Sequence, residues 1–231
     1  MDADTVIERL RAEVEPGARE SMAHLGIRTD HALGVRVPRL RALARELGSD
    51  HELALALWAS GIHEARLLAT MVAAPAAVDA DLMEAWAADF DSWDLVDQAC
   101  ANLFWRAAPA WAKAAEWAQR EEQLVRRAGF VLMASLALHD EAAADDAFAG
   151  FWPLIDAGAD DPRERVRKGV GWALRQIGKR SLALNAAAIE LAGRLQDPAA
   201  RAHEARKVGR EAERELASSM VQGRLGGEGG Q

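Results

Sequence analysis

Apolar residues recur at intervals of three and four along most of the chain, which is the spacing that places them on one face of an α-helix. Val6, Leu10 and Val14 show this spacing in the first segment. Glycine and proline residues separate the periodic segments, as expected at helix ends. One helix is expected within the acidic segment 140–161, ahead of a loop around Gly158. The other predicted helices cover residues 4–14, 18–25, a segment from about 38, 50–59, 63–72, 80–88, 93 to before 109, 110–120, 121–139, 162–178, 181–195 and 198–218.

About a dozen short helices joined by short turns, without a strand-like alternation, predict an all-α fold. A single helical hairpin cannot bury its apolar face alone, so neighbouring hairpins must stack on one another. The expected architecture is an α-solenoid, a single curved domain with a concave face. We expect the helical repeat domain to cover residues 1–222 and the glycine-rich segment 223–231 to be a disordered tail.

The composition supports this fold class and leaves the type of partner open. Half of the 231 residues are apolar, and the chain has eight tryptophans but no tyrosine. Alanine and leucine dominate, which favours helices over strands. The net charge of −8 argues against nucleic-acid binding by the protein as a whole, although the basic residues occur in clusters.

The single cysteine, Cys100, rules out an internal disulfide bond and is typical of a reducing compartment. The N-terminal segment is acidic and no continuous apolar stretch follows it, so we expect neither a signal peptide nor a membrane span. These features predict a cytoplasmic protein, which we expect to be a monomer. The sequence contains no glycine-rich phosphate loop and no metal-ligand spacing, so no metal and no cofactor are expected.

The segment 91–98 combines features of a helix start with a possible binding surface. Ser92 is a suitable N-cap residue, and Asp94 would lie in the first turn, where its charge suits the helix dipole. Trp93 and Asp97 are four residues apart and therefore project from one face. An indole beside a carboxylate suits a flat, cationic or electron-poor partner. Alternatively, the tryptophan packs against a neighbouring helix and the aspartate faces solvent.

A second pattern lies in the predicted helix 162–178. Basic residues and one tryptophan follow one another there at steps of three or four and share one broad face, opposite the apolar face. Such a face suits a polyanion, with the tryptophan against a sugar and the cations on phosphates. The alternative is a solvated charged face with an incidental tryptophan. The residues of this face are Arg165, Lys168, Trp172, Arg175 and Lys179.

Two more groups of basic residues are candidates for phosphate contacts. Arg126 and Arg127 lie in an otherwise apolar helix, where two adjacent charges cannot both be buried without partners. At least one of them should point into a cleft or groove, unless an ion pair with a neighbouring glutamate at position 121 or 122 satisfies it. Arg36 and Arg39 belong to a basic cluster near the N-terminus.

Three segments, 92–97, 125–130 and 166–175, resemble in order the signature segments of the DNA alkylation repair glycosylases of the AlkD type. Segments 33–38 and 63–66 resemble the N-terminal half of that family. The resemblance extends from about residue 23 to residue 178. A tryptophan and an aspartate at this spacing are a short motif, whereas the ordered set of segments is much more specific.

The resemblance implies HEAT-like repeats whose concave face holds duplex DNA. It implies excision of cationic N3- or N7-alkylated purines, such as 3-methyladenine and 7-methylguanine, without a metal or cofactor. Matched residue by residue, Asp97 is the catalytic carboxylate, while Trp93 and Trp172 flank the deoxyribose of the lesion. Arg127 corresponds to the residue that holds a nearby phosphate, with Arg126 as the alternate register.

Three hypotheses follow. The first is a DNA glycosylase of base excision repair. Its DNA contacts would be Arg126, Arg165, Lys168, Arg175, Lys179, Arg36 and Arg39. The second is a non-catalytic protein on the same scaffold that binds branched or distorted DNA. The third is a protein-binding helical scaffold, which the acidic net charge favours.

Overall fold

The computed structural model describes residues 1–227, and all regular structure within that range is helical. The prediction of an all-α fold is therefore confirmed. Two short 3₁₀-helices, Pro75–Ala77 and Phe104–Arg106, accompany the α-helices. The α-helices are α1 (Ala3–Ala12), α2 (Ala18–His24), α3 (Val37–Leu47), α4 (His51–Ala59), α5 (His63–Val72), α6 (Ala80–Ala88), α7 (Trp93–Asn102), α8 (Ala110–Trp117), α9 (Gln123–His139), α10 (Asp145–Ala149), α11 (Trp152–Gly158), α12 (Glu164–Ile177), α13 (Leu182–Arg194), α14 (His203–Leu216) and α15 (Ser219–Gly227).

The contacts divide the chain into two compact units, whereas the sequence predicted one domain over residues 1–222. Unit 1 comprises Met1–Pro109 and contains α1 to α7. Unit 2 begins at Ala110 and contains α8 to α15.

The core of unit 1 forms where α4, α5 and α7 pack together. Apolar side chains of α4 and α5, such as Leu57 and Leu68, are completely buried there. The rings of Trp58 and Trp86 stack with centroids 3.9 Å apart and are almost parallel. These tryptophans therefore serve the core, since both are nearly inaccessible to solvent.

The core of unit 2 is built around α9, which is buried along most of its length between α8 and α12. Gly129 allows the close approach of α8 to α9. A Cβ atom at this position would lie 2.3 Å from the backbone nitrogen of Ala118, so no larger residue fits without a shift of the backbone.

Two predictions about irregular segments were wrong. The acidic segment holds two helices, α10 and α11, and Gly158 is the last residue of α11 rather than part of a loop. Gly158 is buried and closely packed, since a Cβ atom there would lie 2.4 Å from the Phe130 ring. Residues 223–227 belong to α15 rather than to a disordered tail, because Val221 and Leu225 are one turn apart and both are buried. The rest of the predicted tail, 228–231, lies outside the described residues. None of the described helices is both long and apolar enough to span a membrane.

Candidate functional site

Helix α7 begins at Trp93, as the sequence predicted, but Ser92 does not cap it as expected. Ser92 precedes the helix in an extended conformation, and its hydroxyl accepts no hydrogen bond from the first turn. The Ser92 side chain is buried, and its hydroxyl has no hydrogen-bond partner among the described residues.

Trp93 and Asp97 project from the same face of α7, one turn apart, and both are half-buried. The indole nitrogen of Trp93 donates a hydrogen bond to the backbone carbonyl of Leu25, just beyond α2, at 3.1 Å. This bond spans 68 positions of sequence and fixes the ring by its polar edge. The arrangement combines the alternatives considered for Trp93, since the ring packs on a neighbouring segment and keeps part of its surface exposed.

Asp94, on the other side of the first turn, binds a buried histidine. Its carboxylate lies 2.9 Å from Nε2 of His63, which begins α5. Burial disfavours the charged form of His63, but the hydrogen bond and the charge of Asp94 outweigh it, so the pKa of His63 is raised. Burial also opposes ionisation of Asp94, but the same bond lowers the pKa of Asp94 below its ordinary value. The pair is therefore held in its charged form.

The neighbouring residue Glu64 clamps a loop onto the start of α5. Its carboxylate is completely buried and accepts hydrogen bonds from three successive backbone N–H groups, those of Leu33, Gly34 and Val35, at 2.8, 2.7 and 3.2 Å. Gly34 has a φ of +97°, a conformation that glycine adopts without strain. The two N-terminal segments that resemble the family, 33–38 and 63–66, are thus joined by this carboxylate. Sequence reasoning did not identify His63 or Glu64 as structural anchors; a charged pair at the start of an apolar helix was the available signal.

In unit 2, Arg127 is almost fully buried, with 6% of its surface exposed. Its Nη1 donates a hydrogen bond to the backbone carbonyl of Arg165 at 2.6 Å, which connects α9 to α12. Arg126 is more exposed and forms an ion pair of 3.4 Å with Asp161 rather than with a glutamate at position 121 or 122. Of the two adjacent arginines, Arg126 is thus the more accessible.

The basic face of α12 is exposed at Lys168 and partly buried elsewhere, and most of its cations have carboxylate partners. Lys168 is 70% exposed and lies 2.9 Å from Glu164 on the same helix. Arg175 lies 2.9 Å from Glu215 of α14, and Lys179 contacts the same carboxylate. Trp172, which lies between Lys168 and Arg175 in the sequence, is half-buried. The predicted face exists, although it is a set of ion pairs rather than a row of isolated cations.

The arginines of the N-terminal basic cluster also have carboxylate partners. Arg36 lies 2.6 Å from Glu15, and Arg39 lies 3.4 Å from Glu13. Both arginine side chains are more than half exposed. Such surface ion pairs are weak and exchange readily with other anions.

The acidic segment 140–161 supplies carboxylates to internal contacts. Asp161 binds Arg163 through both oxygens in addition to Arg126. Asp156 and Asp160 both pair with Arg201. The segment therefore neutralises basic side chains of unit 2, and Arg201 is committed to that network. No cluster of three potential metal ligands occurs among residues 1–227.

Comparison with known proteins is consistent with this architecture. Residues 6–216 match the family described as DNA alkylation repair enzyme. A solved structure, described as a new family of proteins related to the HEAT-like repeat DNA glycosylases with affinity for branched DNA structures, superposes with a TM-score of 0.79. The two chains are 19% identical, and the match covers 98% of this chain and 97% of the other. The predicted HEAT-like repeat fold is thereby confirmed. No curated protein matches the sequence.

Proposed function

This chain belongs to the family of DNA alkylation repair enzymes, and from that premise we propose that it is a DNA glycosylase that excises cationic N3- or N7-alkylated purines from duplex DNA. The observation that carries the proposal is the start of α7. There, an indole and a carboxylate share one face, and the indole is fixed by the hydrogen bond between Trp93 and Leu25. This is the arrangement that a cationic sugar intermediate requires.

The proposed reaction is hydrolysis of the N-glycosidic bond. An alkylated purine already carries a positive charge, so the base leaves as a neutral molecule when it takes the bonding electrons. Positive charge then develops on the deoxyribose, and the carboxylate of Asp97 stabilises it electrostatically. A water molecule adds its oxygen to C1′ of the sugar and loses one proton. Asp97 can orient that water and accept the proton. The reaction needs no strong general acid, because the alkylated base already carries a positive charge and leaves as a neutral molecule.

Trp93 contributes an apolar ring face with a negative quadrupole beside the reacting sugar. A ring in this position attracts a developing cation by about 0.5–2 kcal/mol. The bond from its indole nitrogen to Leu25 matters because a ring held in one orientation needs no ordering when substrate binds. The proposal assigns Trp172 to the same type of sugar contact and Arg127 to a phosphate. The basic face around Trp172 and the resemblance both support the first assignment, and the resemblance supports the second. Because Arg127 is buried, Arg126 is the stronger candidate for direct contact.

The accessible cations would hold the DNA backbone. Each of these cations would exchange a protein carboxylate for a phosphate. They are Lys168 and Arg175 on α12, Lys179 just beyond its end, and Arg36 and Arg39 near the start of α3. Because the protein is acidic overall and these cations are already paired, we expect modest affinity that falls steeply with salt. The proposed site of action is the cytoplasm, with the protein as a monomer.

A second candidate function is binding of branched DNA without catalysis. The specific observation in its favour is the similar solved structure, which is described as having affinity for branched DNA structures. The same cations would serve this function, whereas Asp97 would be dispensable.

The discriminating experiment measures release of free base from duplex DNA that carries a single 7-methylguanine, beside binding of an undamaged duplex and of a four-way junction. We expect release by the wild type and loss of release in Asp97→Asn with binding unchanged. Preference for the junction with no base released by either protein would support the branched-DNA function instead. Absence of both base release and DNA binding would leave the protein-binding scaffold.

A further inference from the structure

The C-terminal part of unit 2 contains a cleft in which only Arg175 and Lys179 have been proposed above as DNA contacts. It has a volume of about 590 Å³ and lies between the end of α12 and the helices α14 and α15. Its charged lining comprises more cations than carboxylates, which makes a concave surface attractive to anions. These lining residues are Arg175, Lys179, Arg214, Arg224, Glu211 and Glu215.

Glu215 lies at the point where the cations of this cleft converge. One of its carboxylate oxygens is 2.9 Å from Nε of Arg175, and the other contacts Nζ of Lys179. A single anion therefore binds two cations, one in the last turn of α12 and one just beyond its end, through two oxygens. The two non-bridging oxygens of a phosphodiester can make the same pair of contacts. Glu215 is 42% exposed, so anions from solvent can reach this position.

The opposite wall supplies cations that have not been assigned a role. Arg214 is exposed, and within residues 1–227 it has no ion-pair partner. Arg224 donates a hydrogen bond from Nη2 to the carbonyl of Lys179 at 2.7 Å, which holds its guanidinium at the cleft. Arg214 also continues an exposed row on α14 with Lys207 and Arg210, at steps of three and four residues.

We propose that this cleft is a further binding site for a phosphodiester of the DNA backbone, and that the Glu215 carboxylate occupies the phosphate position while DNA is absent. The proposal rests on the proposed DNA-binding function and adds Arg214 and Arg224 to its contacts. Arg175 and Lys179 are only 22% and 19% exposed, so displacement of Glu215 has a cost, which a phosphate offsets by making the same two charged contacts. The exposed cations of α14 form a row, which suits the successive phosphates of a polymer better than a single small anion.

The test compares Glu215→Gln with Glu190→Gln in binding to an undamaged duplex over a range of salt concentrations. Each substitution removes one negative charge, and each frees an arginine from a carboxylate, since Glu190 pairs with Arg194 on α13 at 2.8 Å. Only Glu215→Gln frees cations of the cleft. We expect it to tighten binding about two- to fivefold and to steepen the salt dependence by about one unit of slope. Glu190→Gln should bind as the wild type does.

Arg214→Gln provides the opposite change and should weaken binding about two- to fivefold. Equal binding by Glu215→Gln and Glu190→Gln, while the wild type binds DNA, would overturn this inference and leave the proposed function intact. If neither the wild type nor any variant binds DNA, both this inference and the proposed function are overturned. The third arm adds inorganic phosphate to the Glu215→Gln complex, with sodium chloride at equal ionic strength beside it. Displacement of DNA by phosphate beyond that caused by chloride would identify a small-anion site and contradict the proposal.

Discussion

The start of α7 in unit 1 and the basic face of α12 in unit 2 hold their polar side chains in opposite ways. At α7 the anchoring groups are buried: His63 binds Asp94, and Glu64 next to it binds a loop. At α12 the cations lie nearer the surface and pair with carboxylates that solvent reaches: Lys168 pairs with the exposed Glu164, and Arg175 pairs with the partly exposed Glu215. The first arrangement fixes a geometry, while the second leaves its partners free to exchange.

This difference separates the parts that chemistry and binding require. Catalysis depends on small displacements, so an indole and a carboxylate must be held by groups that cannot relax into water. Binding of a polyanion depends on the number of phosphates that the protein's cations neutralise and on the counterions released from them, so cations held in weak and exchangeable ion pairs are sufficient. The net charge of −8 is compatible with DNA binding on this view, because many carboxylates serve as exchangeable or structural partners of cations.

The largest effect on stability is expected at Glu64. Glu64→Ala leaves three backbone N–H groups without their acceptor in a buried position, which we expect to lower the free energy of unfolding by about 3 kcal/mol or more. Urea denaturation measures this change. Glu52→Ala is a matched control, because Glu52 also lies in the first turn of its helix but is exposed. Similar small effects of both substitutions would contradict the view that the buried anchors fix unit 1.

A smaller, pH-dependent effect is expected at His63. Folding raises the pKa of His63 above 6.5, so its pairing stabilises the protein fully below that value and is lost as the pH rises through the raised pKa. Folding lowers the pKa of Asp94 below 3.8, so its contribution is present above that value and is lost as the pH falls through the lowered pKa. The pair should therefore stabilise most between pH 3.8 and 6.5.

We expect His63→Gln to lower the free energy of unfolding by about 2 kcal/mol near pH 5.5 and by clearly less near pH 8.5. Urea denaturation of the wild type and the variant at both pH values measures the difference. His203→Gln, at the exposed start of α14, should show no such dependence. A loss at His63 that is independent of pH would show that the residue acts through packing rather than charge.

The smallest effect on the fold is expected at Lys168, and there the readout is DNA binding. Lys168→Gln removes an exposed cation, so thermal unfolding should be unchanged. Affinity for duplex DNA should fall about two- to fivefold, and the salt dependence should become shallower by about 0.9. Arg194→Gln on α13 removes a comparable exposed cation outside the proposed contacts. If both variants lose equal affinity, net charge rather than the α12 face governs binding.

The sequence predicted those features that depend on local spacing. The bounds of α5 and α6 agree with the predicted 63–72 and 80–88, because apolar periodicity and flanking breakers mark both ends. The sequence did not predict the buried contacts beside the start of α7. The Glu64 carboxylate, for example, binds backbone N–H groups about thirty positions away, and such contacts leave no local pattern in the sequence. The pairing of Arg175 with Glu215 was missed for the same reason. Helix α15 was not predicted, because its glycines indicated a disordered segment, although its Val221 and Leu225 are buried.

The roles of individual residues remain predictions, and that of Asp97 is central. Its position on the same face of α7 as Trp93 was predicted from the spacing and is found in the structure. Spacing alone does not establish catalysis, because a carboxylate at this position would also suit a protein that only binds DNA.

The most direct measurement is the single-turnover rate of 7-methylguanine release by the wild type, by Asp97→Asn and by Asp81→Asn. Asp81 is an exposed residue in the first turn of α6, so its substitution makes the same change in charge within unit 1. The account predicts a loss of about 100- to 1000-fold in Asp97→Asn at unchanged DNA affinity, and a wild-type rate in Asp81→Asn. Release by Asp97→Asn at the wild-type rate would contradict it.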